Sequence, residues 1–168
     1  MCRVSVMSDG VIIKLEGVDA LNKALAEATK QIRTKAVRAA LRKAGQVISK
    51  EAKQAAPVLS APTKTRKPGT VKKAIAVRAS KFARQAGNEG VFINVRPLRG
   101  SRQKTLGKAG AKNPNDPFYW RFQEFGTTKM KARPFLSPAA ESKGNEAIKT
   151  FMDSVIPQIE KLNAKAKR

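Results

Sequence analysis

The sequence predicts an α+β domain: a small, mainly antiparallel sheet packed by a long N-terminal helix and a C-terminal helix, with a short aromatic helix at one corner. Three observations predict this class. Apolar residues recur at helical spacing through 19–55 and 138–161. Two β-branched runs, at 74–80 and 90–95, are typical of strands. Capping residues bracket an aromatic cluster at 117–125.

The chain has 168 residues, which is enough for one domain with a hydrophobic core. We predict that this domain spans 10–162. Residues 1–9 are expected to form a flexible N-terminal arm, within which Met7 is an alternative start to Met1. Residues 163–168 are expected to form a basic tail.

The first elements expected are a strand and one long helix. Val11–Leu15 is a short β-branched run and predicts the strand. The helix is expected to begin at Gly17 or Asp19 and to run to about Ala55, because Pro57 stops it. Its apolar stripe is rich in alanine, so it can pack closely against a sheet or another helix.

The middle of the chain predicts a hairpin between two long basic loops. Asn88–Gly90 has turn chemistry and separates the runs at 74–80 and 90–95, so these runs are expected to pair as antiparallel strands. The loops span 57–70 and 96–115. Loops of such length within a compact domain are usually functional or disordered.

The aromatic segment carries clear helix signals. Six of the nine aromatic residues lie between Phe118 and Phe135. Asp116 is suited to cap a helix, and Pro117 suits its first position. Gly126 suits the left-handed residue that follows a helix end. These signals predict a short helix that begins at Pro117 and ends before Gly126.

This short helix would carry aromatic residues on two faces. A rotation of about 100° per residue puts Phe118, Phe122 and Phe125 on one face and Trp120 nearly opposite. Two apolar partners are therefore needed, the chain's own core and a neighbouring subunit. Trp120 is either a partly buried core residue or a subunit contact, and the sequence leaves both interpretations open.

The last helix is expected to begin at Pro138, because Ser137 and Pro138 repeat the pattern of a cap followed by proline. Its apolar spacing extends to about Lys161. Pro157 lies inside this helix and is expected to kink it or to split it in two, because proline removes a backbone N–H from the helix interior.

The composition argues against catalytic, cofactor and metal chemistry. There is no histidine and one cysteine, Cys2, so Ser-His or Cys-His nucleophile pairs and Cys/His zinc sites are excluded. The carboxylates form no clustered pair for metal-ion chemistry. We therefore expect no enzyme, no cofactor and no metal. No apolar run approaches the roughly 20 residues of a membrane span, so no membrane partner is expected either.

The positive charge is large and uneven. The net charge of +23 comes from 35 basic and 12 acidic residues and favours a polyanionic partner. Between Glu51 and Asp116 there is one acid, Glu89, against fifteen basic residues. Such segments attract phosphate backbones without reading sequence; the alternative is a solvated surface that binds nothing. The residues expected to contact DNA or an acidic surface are Lys64, Arg66, Lys67, Arg96, Arg99, Arg102, Lys104, Lys108 and Lys112.

Phe122–Thr127, followed by a basic gap and then by Arg133–Ala139, resembles the "EFGT…PFLxPA" signature of the tail-completion, or head–tail joining (neck), proteins of long-tailed bacteriophages. Weaker pieces of the resemblance occur in the same order at Leu15–Leu21, Ala52–Pro57 and Gly69–Ile75. The resemblance covers nearly the whole chain. It departs from the family where a basic insert separates the second and third of these weaker pieces.

The resemblance implies a structural virion protein of the neck or tail end, made in the cytoplasm of a bacterial host. It implies a homo-oligomeric ring around the DNA passage, with six-fold symmetry by analogy, in contact with neighbouring neck and tail proteins and nonspecifically with packaged DNA. The alternative is a free-standing nonspecific nucleic-acid-binding protein, which the charge favours and the aromatic cluster disfavours.

The resemblance implies that the aromatic segment and the basic elbow after it, which contains Lys129, Lys131 and Arg133, would contact other subunits or partner proteins. Glu124 and Arg133 would form a salt bridge between subunits, or they are two exposed groups that contribute little. The residues expected at the interface are Trp120, Phe122, Glu124, Phe125, Gly126, Thr127, Arg133, Pro134 and Phe135.

Overall fold

The computed structural model describes residues 4–7, 10–13 and 18–166. Long helices combined with antiparallel strand pairs confirm the predicted α+β class. The elements are β1 (Val4–Met7), β2 (Gly10–Ile13), α1 (Val18–Glu27), α2 (Lys30–Ala55), α3 (Thr70–Ala74), β3 (Ile75–Ala79), α4 (Lys81–Gln85), β4 (Val91–Val95), α5 (Ser101–Leu106), α6 (Trp120–Phe125) and α7 (Leu136–Ala166).

The N-terminal strands differ from the prediction. β1 and β2 pair antiparallel, with Val4 opposite Ile13. The strand predicted at Val11–Leu15 is observed at Gly10–Ile13; Leu15 lies outside the described residues. β1 falls within the predicted arm and was not predicted as a strand. The division into arm, domain and tail stays a prediction.

The long N-terminal helix is two helices, so the prediction of a single helix is wrong. α1 ends at Glu27, and α2 restarts two residues after Ala28. Thr29 has an extended backbone, and its hydroxyl accepts a hydrogen bond from the Ile32 N–H at 3.4 Å. Threonine is a preferred N-cap, and this cap starts a new helix although the apolar spacing continues across it.

α2 packs against α7 through its alanine stripe. Ala36 and Ala40 are fully buried and belong to one core cluster with Val155 and Ile159. Small side chains let two helices approach closely while the interior stays densely packed. The prediction that the alanine stripe serves close packing is therefore confirmed.

The hairpin β3–β4 packs on another side of α2. A Cβ atom added at Gly45 would lie 2.7 Å from Cγ1 of Val77 on β3, so this face of α2 needs glycine for the strand to approach. Gly45 lies about 140° around the helix from Ala40. At this level α2 therefore lies between α7 and the hairpin.

The predicted antiparallel hairpin is confirmed, with Ile75 opposite Val95 and Ala79 opposite Val91. Its connection contains a short helix, α4, that was not predicted. Ser80 caps this helix, since its hydroxyl accepts from the Ala83 N–H at 3.1 Å. Because the cap and the helix lie within the connection, the chain does not pass directly from strand to turn.

α7 starts earlier than predicted and continues through Pro157, so the predicted split of this helix is wrong. Proline removes one backbone donor, but Val155 and Ile159 on either side of it are buried in the core. Packing of these neighbours holds the helix together across the missing hydrogen bond. The start at Leu136 rather than Pro138 has a separate cause, which lies in α6.

Candidate assembly surfaces

The turn that leads into the aromatic helix is held by a buried carboxylate. Asp116 Oδ1 accepts a hydrogen bond from the Phe118 N–H at 3.1 Å. Its Oδ2 accepts from the Gly110 N–H at 2.8 Å. The N-cap of the helix is Tyr119, which makes no side-chain cap bond, so the prediction that Asp116 caps the helix is wrong. The Trp120 N–H donates to the Pro117 carbonyl at 2.9 Å in a tighter turn, so regular helix begins at Trp120 instead of Pro117.

The two aromatic faces of α6 have different surroundings. Trp120 is half-buried and packs against the chain's own core cluster. Phe122 is 47% exposed and Phe125 is 72% exposed. Phe118 meets Phe122 edge to face, with ring centroids 6.3 Å apart. The exposed aromatic face therefore consists of Phe122 and Phe125, on the side opposite to Trp120.

The side chain of Glu124 is buried within the protein, although it was predicted at the interface. It is 4% exposed. Its Oε2 accepts from the N–H groups of Phe135 and Leu136 at 2.9 and 3.0 Å. Its Oε1 accepts from the N–H and the hydroxyl of Ser137 at 2.9 and 2.7 Å. A carboxylate is favourable at a helix N-terminus, and here it starts α7 at Leu136.

This environment also replaces the predicted salt bridge. Burial by itself raises the pKa of Glu124. The hydrogen bonds from Leu136, Phe135 and Ser137 together lower it by more, so the pKa lies below its ordinary value. The carboxylate is thus engaged by donors of its own chain. Arg133 is exposed, and its backbone N–H donates to the Gln123 carbonyl at 2.7 Å.

Gly126 shapes the elbow that follows α6. Its φ of +74° is positive, as predicted, but its ψ of −175° lies outside the left-handed helical region that was predicted. A Cβ atom there would lie 2.9 Å from the Ala132 nitrogen and 3.0 Å from the Met130 oxygen. Gly126 therefore fixes a backbone turn. Of the other predicted interface residues, Thr127 and Pro134 are exposed.

Phe135 is a core residue, which corrects its predicted place at the interface. It is fully buried, and it packs in one cluster with Ala52, Val71 and Ile75. Its ring therefore holds the start of α7 against the rest of the domain and offers no surface to a partner.

Arg66 joins the two basic loops to the aromatic segment. Its guanidinium carbon lies 4.8 Å from the ring centroids of both Phe118 and Tyr119. Its Nη1 donates to the Ala111 carbonyl at 2.8 Å. A second link is the hydroxyl of Thr70, which donates to the Pro114 carbonyl at 3.1 Å. Loops that are far apart in sequence therefore meet at the start of the aromatic helix.

The second basic loop is partly structured. It contains α5, and the side-chain amide of Asn113 donates to the carbonyls of Leu106 and Lys108, both at 2.8 Å. Arg102 donates to the Arg96 carbonyl at 3.1 Å, so Arg102, like Arg66, has a partner within the chain. The remaining predicted cations are exposed: Lys64, Lys67, Arg96, Arg99, Lys104, Lys108 and Lys112.

The sequence did not predict a concave surface of about 630 Å³ beside β3 and α4, named here the Phe82 groove. Phe82 is 83% exposed, and Phe92 is also exposed. The guanidinium of Arg78 lies 5.7 Å from the Phe92 ring centroid. The available signal was a phenylalanine between basic residues just after the Ser80 cap. The cations that line the groove are Arg42, Arg78, Lys81, Arg84 and Arg96.

The described residues contain neither a cluster of metal ligands nor a helix that could span a membrane. Across 4–7, 10–13 and 18–166, no group of His, Cys, Asp or Glu side chains could hold a metal ion. None of the helices in these ranges is long and apolar enough to span a bilayer.

A family model described as "Bacteriophage HK97-gp10, putative tail-component" matches residues 19–126. The match covers more than half of the chain, and it includes both basic loops and the whole of α6. Searches of curated proteins and of solved structures returned no match. The match agrees with the resemblance to phage tail proteins, while the narrower tail-completion role stays a prediction. The chain belongs to the HK97-gp10-like family of bacteriophage tail components.

Proposed function

We propose that this protein is a structural, non-enzymatic virion component that completes the tail or joins it to the head. Identical subunits form a ring around the DNA passage, with six-fold symmetry. The observation that carries the proposal is the exposed aromatic face of α6, Phe122 and Phe125. Membership of a phage tail-component family supports the virion location and the presence of neighbouring tail proteins.

Exposed phenylalanines favour association. Burial of one fully exposed side chain of this kind contributes about 1.5–3 kcal/mol. Phe122 and Phe125 are already partly buried, so burial of either one at an interface would contribute part of this free energy. Adjacent large apolar side chains on a surface are typical of interaction sites. We propose that the aromatic face packs against the next subunit or a neighbouring tail protein.

The face is also held in a fixed orientation before any partner binds. Asp116 anchors the turn that leads into its helix, Glu124 links α6 to α7, and Gly126 sets the turn between them. Pre-organised surfaces lose less conformational entropy on association. Mutation of Glu124 or Gly126 would therefore weaken assembly, because it would change how α6 is oriented relative to α7.

The exposed cations of the two loops are proposed to face the DNA passage or an acidic surface of an adjoining ring. Packaged DNA would be bound through its phosphates, without sequence preference. Arg66 and Arg102 are left out of this surface because they bond within the chain. The proposed contacts are Lys64, Lys67, Arg96, Arg99, Lys104, Lys108 and Lys112.

The test is the mass of the nucleic-acid-free protein in solution by light scattering at about 0.5 M salt, where exposed charge interactions are screened. We expect an oligomer for the wild type and a monomer for Phe122→Ser/Phe125→Ser. The matched control is Val58→Ser/Leu59→Ser, two exposed apolar residues elsewhere, which should stay assembled. Trp120→Ala is unsuitable because Trp120 packs in the core.

An oligomer that survives the double substitution on the aromatic face would refute this interface.

A second candidate function is a free-standing nonspecific nucleic-acid-binding protein, which the net charge of +23 favours. That function predicts a monomer that binds any duplex and releases it steeply as salt rises.

A further inference from the structure

The Phe82 groove carries charge of one sign. Its described lining contains five cations and no acid. Glu89, the nearest acid along the chain, is paired with Arg38 on α2. The groove also exposes the rings of Phe82 and Phe92. A surface of this kind is complementary to an anionic partner that also has an apolar part.

The outer face of α7 has these properties. Glu146, Asp153 and Glu160 are exposed and recur every seven residues, so they lie within about 40° of one another around the helix. Glu146 is paired with Lys143 at 2.8 Å, so the docking contact uses Asp153 and Glu160. Pro157, also exposed, lies on the same face between the last two. Lys149 is at the edge of this face. The acidic face of α7, defined by these three carboxylates and Pro157, is opposite to buried residues such as Val155.

Pro157 adds a backbone acceptor to this face. Because proline has no N–H, the carbonyl of Asp153 has no partner at the usual position one turn along the helix. A guanidinium has five donors and can bind a carboxylate and a carbonyl together. The Asp153 carbonyl and carboxylate therefore suit an arginine, and the Pro157 ring suits an apolar side chain.

The two surfaces lie on opposite sides of α2. Ala40 faces α7, whereas Arg42, which lines the groove, lies about 160° around the helix from it. The groove of a subunit therefore points away from its own acidic face. Repeated pairing of such surfaces generates a head-to-tail arrangement, which closes into a ring when the rotation allows it.

We propose that the Phe82 groove of one subunit docks on the acidic face of α7 in a second copy of this chain. Arg78 and Arg84 bind the carboxylates of Asp153 and Glu160, and Phe82 packs against Pro157. This inference rests on the proposed ring and identifies a contact within it that is separate from the aromatic face of α6.

The test is a charge-reversal pair measured by light scattering and sedimentation on nucleic-acid-free protein. Variant one is Arg78→Glu/Arg84→Glu and variant two is Asp153→Lys/Glu160→Lys. Each alone presents like charges at every contact, so subunit association should weaken by about tenfold or more. An equimolar mixture restores opposite charges at every contact, because the two variants alternate around an even-numbered ring. The mixture should therefore reassemble.

The control matched in charge to variant one is Lys72→Glu/Lys73→Glu, at two exposed lysines of α3 that belong to neither surface, and it should assemble like the wild type. Thermal unfolding of each variant, followed by circular dichroism, checks that it folds. A third variant, Phe82→Ser, should weaken assembly without any change of charge.

The outcomes separate this inference from the proposed function. If the wild type forms a ring and both charge variants assemble equally well, the groove contact is wrong and the ring stands. If the variants are monomeric and the mixture stays monomeric, the pairing of these two surfaces is wrong. A monomeric wild type would overturn both the ring and the contact. If Arg78→Glu/Arg84→Glu assembled like the wild type but no longer bound a single-stranded dT oligonucleotide, the groove would be a nucleic-acid surface and the inference would be overturned.

Discussion

The carboxylate of Glu124 accepts hydrogen bonds from both the backbone N–H and the hydroxyl of Ser137, at 2.9 and 2.7 Å. The two residues belong to different helices, so α6 supplies the cap for α7. A buried acceptor of this kind costs most when it is replaced by a group that cannot satisfy the same donors.

Glu124→Gln should lower the free energy of unfolding by about 1.5–3 kcal/mol, the range for hydrogen bonds to charged groups. The amide keeps one acceptor oxygen and turns its own N–H groups towards the N–H donors of α7. Urea unfolding at neutral pH measures the change. Glu141→Gln, at an exposed position on α7, is the control and should change stability little. Equal losses in the two variants would contradict the capping role.

The same carboxylate predicts an acid-labile step. The pKa of Glu124 in the folded protein is below its ordinary value of 4.5, so its contribution to stability is present above that value. It is lost as the pH falls through the folded-state pKa. Wild type should therefore lose more stability than Glu124→Gln below pH 4.5 in urea titrations at a series of pH values. Parallel curves for the two proteins would argue against this linkage.

The ion pair of Arg38 and Glu89 should matter less. Nε and Nη2 of Arg38 donate to the two oxygens of Glu89 at 2.9 and 2.7 Å, and the hydrogen bond from Arg38 lowers the pKa of Glu89. Both side chains are partly open to solvent, which screens the pair. Glu89→Gln should cost no more than about 1 kcal/mol, clearly less than Glu124→Gln in the same urea measurement. The reverse order would be evidence against this ranking.

Two glycines should respond oppositely to alanine. Gly126 has a φ of +74°, and a Cβ atom would meet backbone atoms at 2.9 and 3.0 Å, so Gly126→Ala should cost about 2 kcal/mol or more. Gly144 lies within α7 with no atom within 4 Å of an added Cβ. Gly144→Ala should therefore stabilise by up to about 1 kcal/mol. Thermal unfolding of both variants checks the sign of each change.

Arg66→Lys should loosen the second basic loop although the charge is kept. A lysine ammonium cannot reproduce the planar guanidinium beside two rings, nor the bond to Ala111 at the same time. We expect faster hydrogen exchange of the backbone amides in 108–114. Lys67→Arg, at the exposed neighbour, is the control and should exchange like the wild type. If hydrogen exchange in Arg66→Lys were the same as in the wild type, Arg66 would not be the residue that links the two loops.

Features set by local sequence were predictable. The strands β3 and β4 and the positive φ of Gly126 each depend on residues within a few positions of one another. The Thr29 cap was equally local, but apolar spacing that continued across it concealed the break between α1 and α2. Propensity alone could not show which of two competing local signals would prevail.

The site was less predictable because its contacts join distant residues. Glu124 binds groups 11 to 13 residues away, and Arg66 binds a carbonyl 45 residues away. Both were therefore interpreted from their charge as surface groups. Phe82 was overlooked because the short helix that exposes it, α4, was not predicted.

The residues matched by the family model end at Gly126, but the cap of α7 crosses that point. A fragment of residues 19–126 would keep the Glu124 carboxylate and lose all of its donors. It would also lack Phe135 and Ala139, which complete the core around Ala52. The smallest part of this protein able to fold by itself therefore includes α7, and a shortened version made for crystallisation or imaging should not stop at the family boundary.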